Sequence, residues 1–290
     1  MTLRLLAVHA HPDDESSKGS ATYAHYRKLG VEVLVVSATG GEQGSILNDN
    51  LAAKARAERD MAGLRFDEMA AAQKAMGIDH IWLGYHDSGL PEEGESVAVN
   101  SFATIPLEIS AEPLVRIIRR FKPQVLVTYD ENGGYPHPDH IRSHEISMYA
   151  FEAAADPDRY PDAGEPWQIS KVYYDRIMNS ARMRAIQKQL TLEVPDSPII
   201  EKMTEMMERW GDRPDLSTTR VNVSDSFDER DEALRSHASQ IAPDSFFFFW
   251  PNDLQTRAWP TEDFQLVSSS VESTLPETDL FAGIPESRTA

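Results

Sequence analysis

Two short polar segments of the sequence carry histidine and carboxylate side chains at spacings that suit a metal site. The first is His11-Pro12-Asp13-Asp14-Glu15 and the second is His137-Pro138-Asp139-His140. The chain has no cysteine, so a metal must be bound by nitrogen and oxygen atoms. A catalytic zinc site typically has three such ligands and one open position. The two segments can supply that set.

The first segment offers two ligands and a base. His11 and Asp14 are three residues apart on a turn, which is close enough to bind one ion. The third ligand comes from the second segment, where spacing leaves His137 and His140 equally suitable. Adjacent side chains diverge, so we expect Asp13 to face a water molecule instead of the metal. Metal binding lowers the pKa of water to about 7, and a carboxylate within hydrogen-bond reach can then take the proton.

The second segment also offers groups that assist amide cleavage. An amine leaves poorly as an anion, so a proton donor is needed, and His137 can fill that role. Asp139 can fix the ring of His137 and tune its basicity. Tyr135 and His137 are placed to stabilise an oxyanion. Each residue also has a structural alternative, since a histidine can be a core residue and Asp13 or Asp139 can cap a helix, but capping is compatible with catalysis.

The sequence pattern of the first half of the chain predicts the strands and helices that position these segments. Short apolar runs alternate there with longer helical patterns, which is typical of βα units that build a parallel sheet. Strands are predicted at 3–8, 31–37, 80–83 and 124–128, and helices at 17–29, 52–76 and 112–121. In such sheets, ligands bind beyond the carboxyl ends of the strands. The two segments follow the first and fourth strands, so we expect them to meet at that edge.

The second half is less regular. Strands are predicted at 171–174 and 219–223, and helices at 180–190, 199–210 and 226–241. The fold class is α/β, a Rossmann-like, mostly parallel sheet with flanking helices and an irregular C-terminal half. We interpret residues 1–290 as a single domain, in which about 1–155 carry the metal site and about 156–290 shape the substrate pocket. The aromatic block at 246–250 is expected to pack in the core or in a lid.

Composition narrows the choice of partners. The 290 residues are 41% apolar and 26% charged, as in an ordinary globular protein. The formal charge of -19 argues against nucleic acid as a partner, since such binding depends on neutralising phosphates. The apolar run at 3–8 is too short for a signal peptide or a membrane span. We expect a cytoplasmic enzyme that acts on a small molecule, with no membrane partner, and the sequence leaves a homo-oligomer open.

The two segments together resemble those of the LmbE-like, or PIG-L, family of zinc deacetylases. Further similarity lies at 16–19, 128–135, 161–167 and 280–284. The ligand set that the resemblance implies is His11, Asp14 and His140. It also implies that Asp13 is the general base and that His137 and Tyr135 assist at the oxyanion and the leaving group. Histidine and carboxylate ligands also suit Fe²⁺, so the choice between zinc and iron stays open.

The resemblance also implies a reaction, the hydrolysis of mycothiol S-conjugates. The amide between an N-acetylcysteine S-conjugate and glucosaminyl-inositol is cleaved, which releases a mercapturic acid and the pseudo-disaccharide. One alternative is deacetylation of N-acetylglucosaminyl-inositol or of another N-acetylated amino sugar. A second, of a different class, is a carbohydrate-binding module without catalysis. The intact ligand set and Asp13 argue against the second alternative, because a binding module needs no base.

Three further residues are similar to substrate-binding positions of the family. Lys18 resembles the members that cleave S-conjugates, whereas the deacetylases have a small polar residue there. Arg65 and Asp87 resemble contacts to the sugar and inositol hydroxyls, which such groups can bind by charge-assisted hydrogen bonds. Ser45 departs from the family pattern, in which glutamate is frequent, and the stretch 178–217 is shorter and divergent. These departures leave the sugar contact at that loop and the shape of the acyl pocket open.

Overall fold

The computed structural model describes residues 2–92 and 95–285. Within them, seven strands form one sheet: β1 (Arg4–His9), β2 (Glu32–Thr39), β3 (Asp79–Tyr85), β4 (Val125–Thr128), β5 (Lys171–Asp175), β6 (Thr219–Asn222) and β7 (Thr261–Ser269). Their spatial order is β3-β2-β1-β4-β5-β7-β6. The strands from β3 to β5 pair in parallel, whereas β7 is antiparallel to both β5 and β6. The predicted α/β class with a mostly parallel sheet is confirmed.

Helices flank this sheet. In the described ranges they are α1 (Asp14–Ser17), α2 (Ser20–Lys28), α3 (Lys54–Arg59), α4 (Met61–Met76), α5 (Leu107–Phe121), α6 (Pro138–Ala155), α7 (Ser180–Glu193), α8 (Ile199–Trp210), α9 (Phe227–Ser236) and α10 (Asn252–Ala258). None of the described helices is long and apolar enough to cross a membrane. The long helix predicted at 17–29 is broken at Gly19, whose φ of +148° is open to glycine. A Cβ at Gly19 would also lie 2.5 Å from the ring of Tyr23.

The central strands are apolar because both of their faces are covered. Along β1, Leu5 packs in the hydrophobic cluster on one side of the sheet and Leu6 in the cluster on the other side. Val35 and Val36 alternate in the same way along β2. All four side chains are fully buried. Burial of a Leu or Val side chain contributes roughly 1.5–3 kcal/mol, so these central strands form a rigid base for the loops that follow them.

The chain reverses its direction of progress across the sheet between β1 and β4. From β1 it proceeds to β2 and β3 on one side, and from β4 to β5 on the other. Neighbouring loops that leave β1 and β4 therefore diverge and open a crevice between them. The two predicted metal-binding segments lie in these two loops.

Two parts of the second half differ from the prediction. The helix predicted at 226–241 ends at Ser236, and α10 and β7 were not predicted. The sequence pattern does not predict β7, because two of its buried positions hold acidic residues, Glu262 and Asp263. Glu262 accepts hydrogen bonds from the backbone N–H and the hydroxyl of Thr22, at 2.9 and 2.7 Å. These partners are distant in sequence, so the local pattern gave no sign of them.

Arg119, in α5, forms hydrogen bonds that connect the Pro-rich stretch at 156–166 to the first half of the chain. Its guanidinium is 2% exposed and donates hydrogen bonds to six backbone carbonyls, which belong to Ala153, Ala154, Asp156, Arg159, Tyr160 and Gly164. Trp167 then donates from its indole N–H to the carbonyl of Pro123 at 2.6 Å. This stretch is a packed connection between α6 and β5. The residues of the aromatic block at 246–250 lie in two environments. Trp250 is buried in a hydrophobic cluster with Met183, whereas Phe247 lines the cavities described below.

Candidate active site

The turn after β1 presents three acidic residues in succession. Asp13 has a positive φ of 98°, an uncommon conformation for a non-glycine residue, and Asp14 begins α1. The backbone N–H of Asp13 donates to Oε2 of Glu15 at 2.9 Å, and the backbone N–H of His11 donates to Oδ2 of Asp14 at 3.0 Å. The turn is therefore held by its own carboxylates, and the side chains of Asp13 and Asp14 point in different directions, as predicted.

The turn before α6 presents the second segment. Gly133 has a φ of +69°, and a Cβ there would lie 2.5 Å from the Cβ of His140. Pro138 is the first residue of α6, preceded by His137 as its N-cap residue. Nδ1 of His137 accepts the backbone N–H of Asp139 at 3.1 Å. This start of the helix places His140 in the first turn, where it is fully buried.

One oxygen of Asp14 lies near a nitrogen of each predicted histidine ligand, and the space between these three atoms is here named the metal point. Oδ2 of Asp14 lies 3.4 Å from Nδ1 of His11 and 3.3 Å from Nε2 of His140. Ligand atoms of a tetrahedral zinc site with bonds of about 2.0–2.1 Å are separated by about 3.3–3.4 Å. These two separations match those of a zinc site. Among the described residues, the groups whose candidate ligand atoms all lie within 4.8 Å of one another are His11 with His137 and His140, and His11 with Asp87 and Asp139.

The hydrogen bonds of the two histidines indicate which nitrogen atoms are free to bind a metal. Nδ1 of His140 lies 2.9 Å from the carbonyl oxygen of Gly133, an acceptor, so Nδ1 carries the proton. Nε2 of His140 then presents a lone pair, and this buried atom has no hydrogen-bond partner among the described residues. Nε2 of His11 faces Oδ2 of Asp139 at 3.2 Å, which leaves its Nδ1 for the same point. Oδ2 of Asp14 thus faces Nδ1 of His11 and Nε2 of His140.

His137 also lies close to this point, but its hydrogen bonds differ. Its ring nitrogen is within 4.8 Å of nitrogen atoms of His11 and His140, so these three could form another trio. However, Nδ1 of His137 accepts a backbone N–H, so Nε2 carries the proton in the neutral ring. Burial, together with the nearby His11 and His140, lowers the pKa of His137 to about 4. The arrangement favours His140 as a ligand and His137 as a neutral hydrogen-bond donor.

The surrounding charges favour a cation at this point. Burial alone lowers the pKa of His11, but the carboxylates of Asp139, Asp14 and Asp87 outweigh it and raise that pKa well above its usual value. Burial likewise raises the pKa of Asp14, but His140 and Lys18 outweigh it and hold that pKa well below its usual range. Asp14 therefore stays ionised, and its carboxylate stabilises positive charge at this point.

Asp13 is held by Arg65 and not by the metal ligands. The guanidinium of Arg65 donates to Oδ2 of Asp13 at 2.9 Å, to the carbonyl of Pro12, and to the carbonyl of Gly41 at 2.8 Å. The side chain of Asp13 is 23% exposed, whereas that of Arg65 is 4% exposed. Burial raises the pKa of Asp13, and Arg65 opposes this effect. Asp13 is thus a partly accessible carboxylate with a raised pKa, which suits a base.

The other predicted residues lie around the same centre. Lys18 bonds through Nζ to Oδ1 of Asp14, the oxygen that faces away from the histidines. Asp87 accepts the backbone N–H of Gln43 at 3.0 Å and lies 3.6 Å from Nε2 of His11. The carboxylate of Asp139, predicted to fix the ring of His137, bonds instead to His11, while its backbone N–H bonds to His137. All of them are buried or half-buried.

Tyr135 covers the metal point from the solvent side. Its ring is 42% exposed and lies 4.5 Å from the ring of His140 and 6.1 Å from the ring of His137, measured between centroids. Burial raises the pKa of the Tyr135 hydroxyl, with Asp14 contributing in the same direction. The hydroxyl therefore keeps its proton at neutral pH and can donate a hydrogen bond.

Two residues of the site were not predicted. His237 is fully buried with Nε2 2.7 Å from Oε1 of Glu15. Oε2 of the same Glu15 accepts the N–H of Asp13. His237 and Glu15 thus form a buried pair directly behind the predicted base. The sequence signal was limited to the resemblance of the segment around His237 to the family, which carried no chemistry.

The centre opens into a cavity of about 550 Å³, here named the catalytic cavity. Its polar lining residues include Asp13, Gln43, Arg65, Asp87, His137 and Gln240. Ser45 also lines it, as does Leu47. A cavity of this volume accommodates a drug-sized small molecule, and its polar walls suit a molecule with several hydroxyl groups.

Comparison with known proteins identifies the family to which the chain belongs. Residues 6–151 match the PIG-L family, described as GlcNAc-PI de-N-acetylase. The chain is 47% identical to the mycothiol S-conjugate amidase of Streptomyces coelicolor, over 97% of each chain. It is 38% identical to the 1D-myo-inositol 2-acetamido-2-deoxy-alpha-D-glucopyranoside deacetylase of Streptomyces scabiei, over 97% of this chain and 90% of that one.

The fold is similar to that of a solved deacetylase. The N,N'-diacetylchitobiose deacetylase of Pyrococcus horikoshii matches the structure with a TM-score of 0.60 at 18% identity, over 91% of this chain and 83% of that one. That similarity concerns the fold alone. Taken with the sequence matches and the cluster of histidine and carboxylate side chains, it leads to one conclusion: the chain belongs to the PIG-L family and is a hydrolase that acts on amide bonds.

Proposed function

We propose that this protein is a zinc-dependent amidase that hydrolyses mycothiol S-conjugates. The products are an N-acetylcysteine S-conjugate and glucosaminyl-inositol, as in thiol-dependent detoxification. The observation that carries the proposal is the 47% identity to an amidase of that name over 97% of both chains, compared with 38% to a deacetylase that shares the inositol-linked sugar. The position of Lys18 beside Asp14 agrees with this proposal, since a lysine at this place in the sequence resembles the pattern of the amidases.

We assign the metal to His11, Asp14 and His140. The unpaired Nε2 of His140 and the ligand-atom separations of 3.3 and 3.4 Å support this set. A bound zinc ion supplies Lewis acidity, which polarises a carbonyl and lowers the pKa of water to about 7. Asp139 then acts on His11, because its carboxylate fixes the orientation of that ring and increases its basicity.

We assign proton transfer to Asp13. Its carboxylate faces the catalytic cavity, and Arg65 fixes its orientation. Burial raises its pKa, which increases its strength as a base and lets it hold the proton that it takes from water. The same proton is then available for the leaving amine. A general base of this kind typically contributes about 10²–10⁴ in rate.

We assign stabilisation of the oxyanion to His137 and Tyr135. The hydrogen bond from Asp139 N–H to Nδ1 fixes His137 with its Nε2 proton directed away from the helix. The neutral ring is a fixed donor and needs no titration during turnover. Tyr135 offers a second donor at the rim of the catalytic cavity. Removal of one such donor typically costs about 10²–10³ in kcat.

The substrate contacts follow from the lining of the catalytic cavity. We propose that Asp87 binds hydroxyl groups of the sugar half, because it lies beside the metal point and lines the cavity. Arg65 lines the same wall, although both terminal nitrogens already donate to the protein. We propose that Lys18, which bonds to Asp14 and also lines the catalytic cavity, lies next to the acyl half.

The deciding experiment compares two substrates with the same amine half. The zinc-loaded protein is assayed for glucosaminyl-inositol release from a bimane-labelled mycothiol conjugate and from N-acetylglucosaminyl-inositol. We expect the larger kcat/KM with the conjugate. Faster release from the acetylated compound would overturn the amidase assignment in favour of the biosynthetic deacetylase. Repeating both assays with the iron-loaded protein separates the metal from the substrate question.

A further inference from the structure

A second cavity lies next to the catalytic cavity, and we propose that it receives the acyl half of the substrate. It has a volume of about 600 Å³. The ligand class that we assign to it is an N-acetylcysteinyl group with an apolar or aromatic substituent on sulfur. This inference rests on the proposed function, because it names the half of the substrate that the catalytic cavity does not hold. The second cavity is here named the acyl cavity.

The two cavities adjoin each other beside the assigned metal ligands. Both are lined by Ser17, Lys18, Tyr135 and Phe247. Lys18 bonds to the ligand Asp14, and the ring of Tyr135 lies over the ligand His140. A molecule whose scissile carbon is at the metal point therefore has one cavity on each side of it. Hydrolysis of an amide needs two such directions, one for the amine half and one for the acyl half.

The walls of the two cavities differ in chemistry. Apolar side chains that line the acyl cavity and not the catalytic cavity are Met178, Trp210, Pro214 and Leu216, and they share its wall with charged and amide groups such as Asp175, Arg176 and Asn179. The catalytic cavity instead presents carboxylate, amide and guanidinium groups, which suit hydroxyl-rich sugars. An aromatic or aliphatic substituent on sulfur gains by leaving water, at roughly 25 cal/mol per Å² of buried apolar surface. The apolar part of the acyl cavity around Trp210 and Leu216 therefore suits the substituent of the acyl half, and its polar groups suit the amide and carboxylate of that half.

Trp210 is held in a fixed orientation on the wall of the acyl cavity. Its ring makes an edge contact with Phe246 at 5.3 Å between centroids, and the guanidinium of Arg213 lies 5.4 Å from the ring. Trp210 is the last residue of α8, so packing of that helix fixes its backbone. An indole that is already ordered loses little entropy on binding, and it offers a flat face to an aromatic substituent.

The volume of the acyl cavity also bears on the choice between an amidase and a deacetylase. Sites that hold drug-sized molecules have volumes of about 300–1,000 Å³, so about 600 Å³ is ample for a substituted cysteinyl group. An acetyl group, with two carbon atoms, uses a small part of it. The wall is built by residues between α7 and β6, which is the stretch that the sequence left open for the acyl pocket.

The test measures a preference within each protein, so that partial unfolding cancels. Conjugates that carry S-benzyl and S-methyl groups on the same mycothiol are assayed with the wild-type protein and with the Trp210→Ala and Leu216→Ala variants. We expect the ratio of kcat/KM for S-benzyl over S-methyl to fall about tenfold in Trp210→Ala and less in Leu216→Ala. Leu192→Ala, at a 70% exposed position of α7 away from both cavities, is the matched control and keeps the wild-type ratio.

A ratio that stays at the wild-type value in both cavity variants would overturn the acyl cavity. Failure of the proposed function has a different signature, since the wild-type protein would then cleave neither conjugate but would deacetylate N-acetylglucosaminyl-inositol. In that case the same variants are assayed with N-phenylacetyl and N-acetyl derivatives of glucosaminyl-inositol. A lower ratio in Trp210→Ala would then uphold the cavity for another acyl group, and an unchanged ratio would reject it.

Discussion

His237 and Glu15 form a buried pair with 2.7 Å between Nε2 and Oε1, although 222 residues separate them in the sequence. Neither side chain is exposed. The second carboxylate oxygen of Glu15 accepts the backbone N–H of Asp13, whose φ is positive. The end of α9 thus supports the strained residue that we assign as the base. His237 is a positioning residue, since its effect on the reaction passes through Glu15 and the backbone.

Replacement of His237 by alanine is expected to cost about 3–5 kcal/mol in unfolding free energy, because it leaves the Glu15 carboxylate buried without its partner. Urea unfolding followed by circular dichroism measures it. His25→Ala is the matched control, because His25 pairs with the largely exposed Asp225 and its loss is expected to cost less than about 1 kcal/mol. Equal costs for the two variants would contradict the role given to the buried pair.

The same pair predicts a pH dependence of stability. Burial opposes charge on His237, but Glu15 outweighs it and raises the pKa of His237 above 6.5. Since the folded protein holds this proton more tightly than the unfolded chain, the stabilisation is full below pH 6.5 and is lost as the pH rises through the raised pKa. The difference in unfolding free energy between wild type and His237→Gln is therefore expected to be larger at pH 6 than at pH 9. A difference that grows with pH would contradict the assignment.

Asp13→Asn tests the base separately from the metal. The amide cannot accept a proton, so kcat is expected to fall about 10²–10⁴-fold. Metal content measured by elemental analysis is expected to stay at the wild-type value, because Asp13 bonds to Arg65 and not to the ligand residues. Loss of both activity and metal would show that Asp13 supports the metal site instead.

The two histidines of the second segment are expected to respond differently to substitution. His140→Ala removes the buried, unpaired Nε2 that faces Asp14, and zinc stoichiometry is expected to drop well below one per chain. His137→Ala removes a hydrogen-bond donor, so the variant keeps its metal but loses about 10²–10³ in kcat. The reverse result for metal content would place His137 in the ligand set.

Removal of the metal is expected to lower stability as well as activity. The folded site binds the ion and the unfolded chain does not preserve it, so zinc at 100 times its Kd stabilises the fold by about 2.7 kcal/mol. Thermal unfolding with a chelator and after zinc addition measures this effect. A His140→Ala variant is the control, and its Tm is expected to change little between the two conditions.

Much of the fold and of the site was predictable because the signals are local. Buried parallel strands need continuous apolar runs, and the loops that follow them are polar, so the strand order of the first half placed His11 and His140 near each other. The same reasoning could not choose between His137 and His140. That choice depends on which ring nitrogen meets the Gly133 carbonyl or the Asp139 N–H, a matter of orientation that spacing does not contain.

The parts that were not predicted depend on partners far away in the chain. In β7 the buried carboxylate of Glu262 accepts hydrogen bonds from Thr22. An acidic residue therefore occupies a buried strand position at which the sequence pattern predicts an apolar one. The pairing of Glu15 with His237 was not predicted either, because His237 follows α9, 222 residues further along the chain. Long-range compensation of buried charge leaves no local periodicity, and sequence patterns alone do not report it.

The six carbonyls that Arg119 binds have a consequence for how the chain can be divided. The family match ends at Phe151, yet all six of those carbonyls, and β5 beside β4, come later in the chain. A fragment cut at that point would leave a buried guanidinium without these six acceptors and an open apolar sheet edge, which promotes aggregation. The end of the family match is therefore not expected to be a boundary of autonomous folding, and truncations intended for expression should retain the strands up to β7.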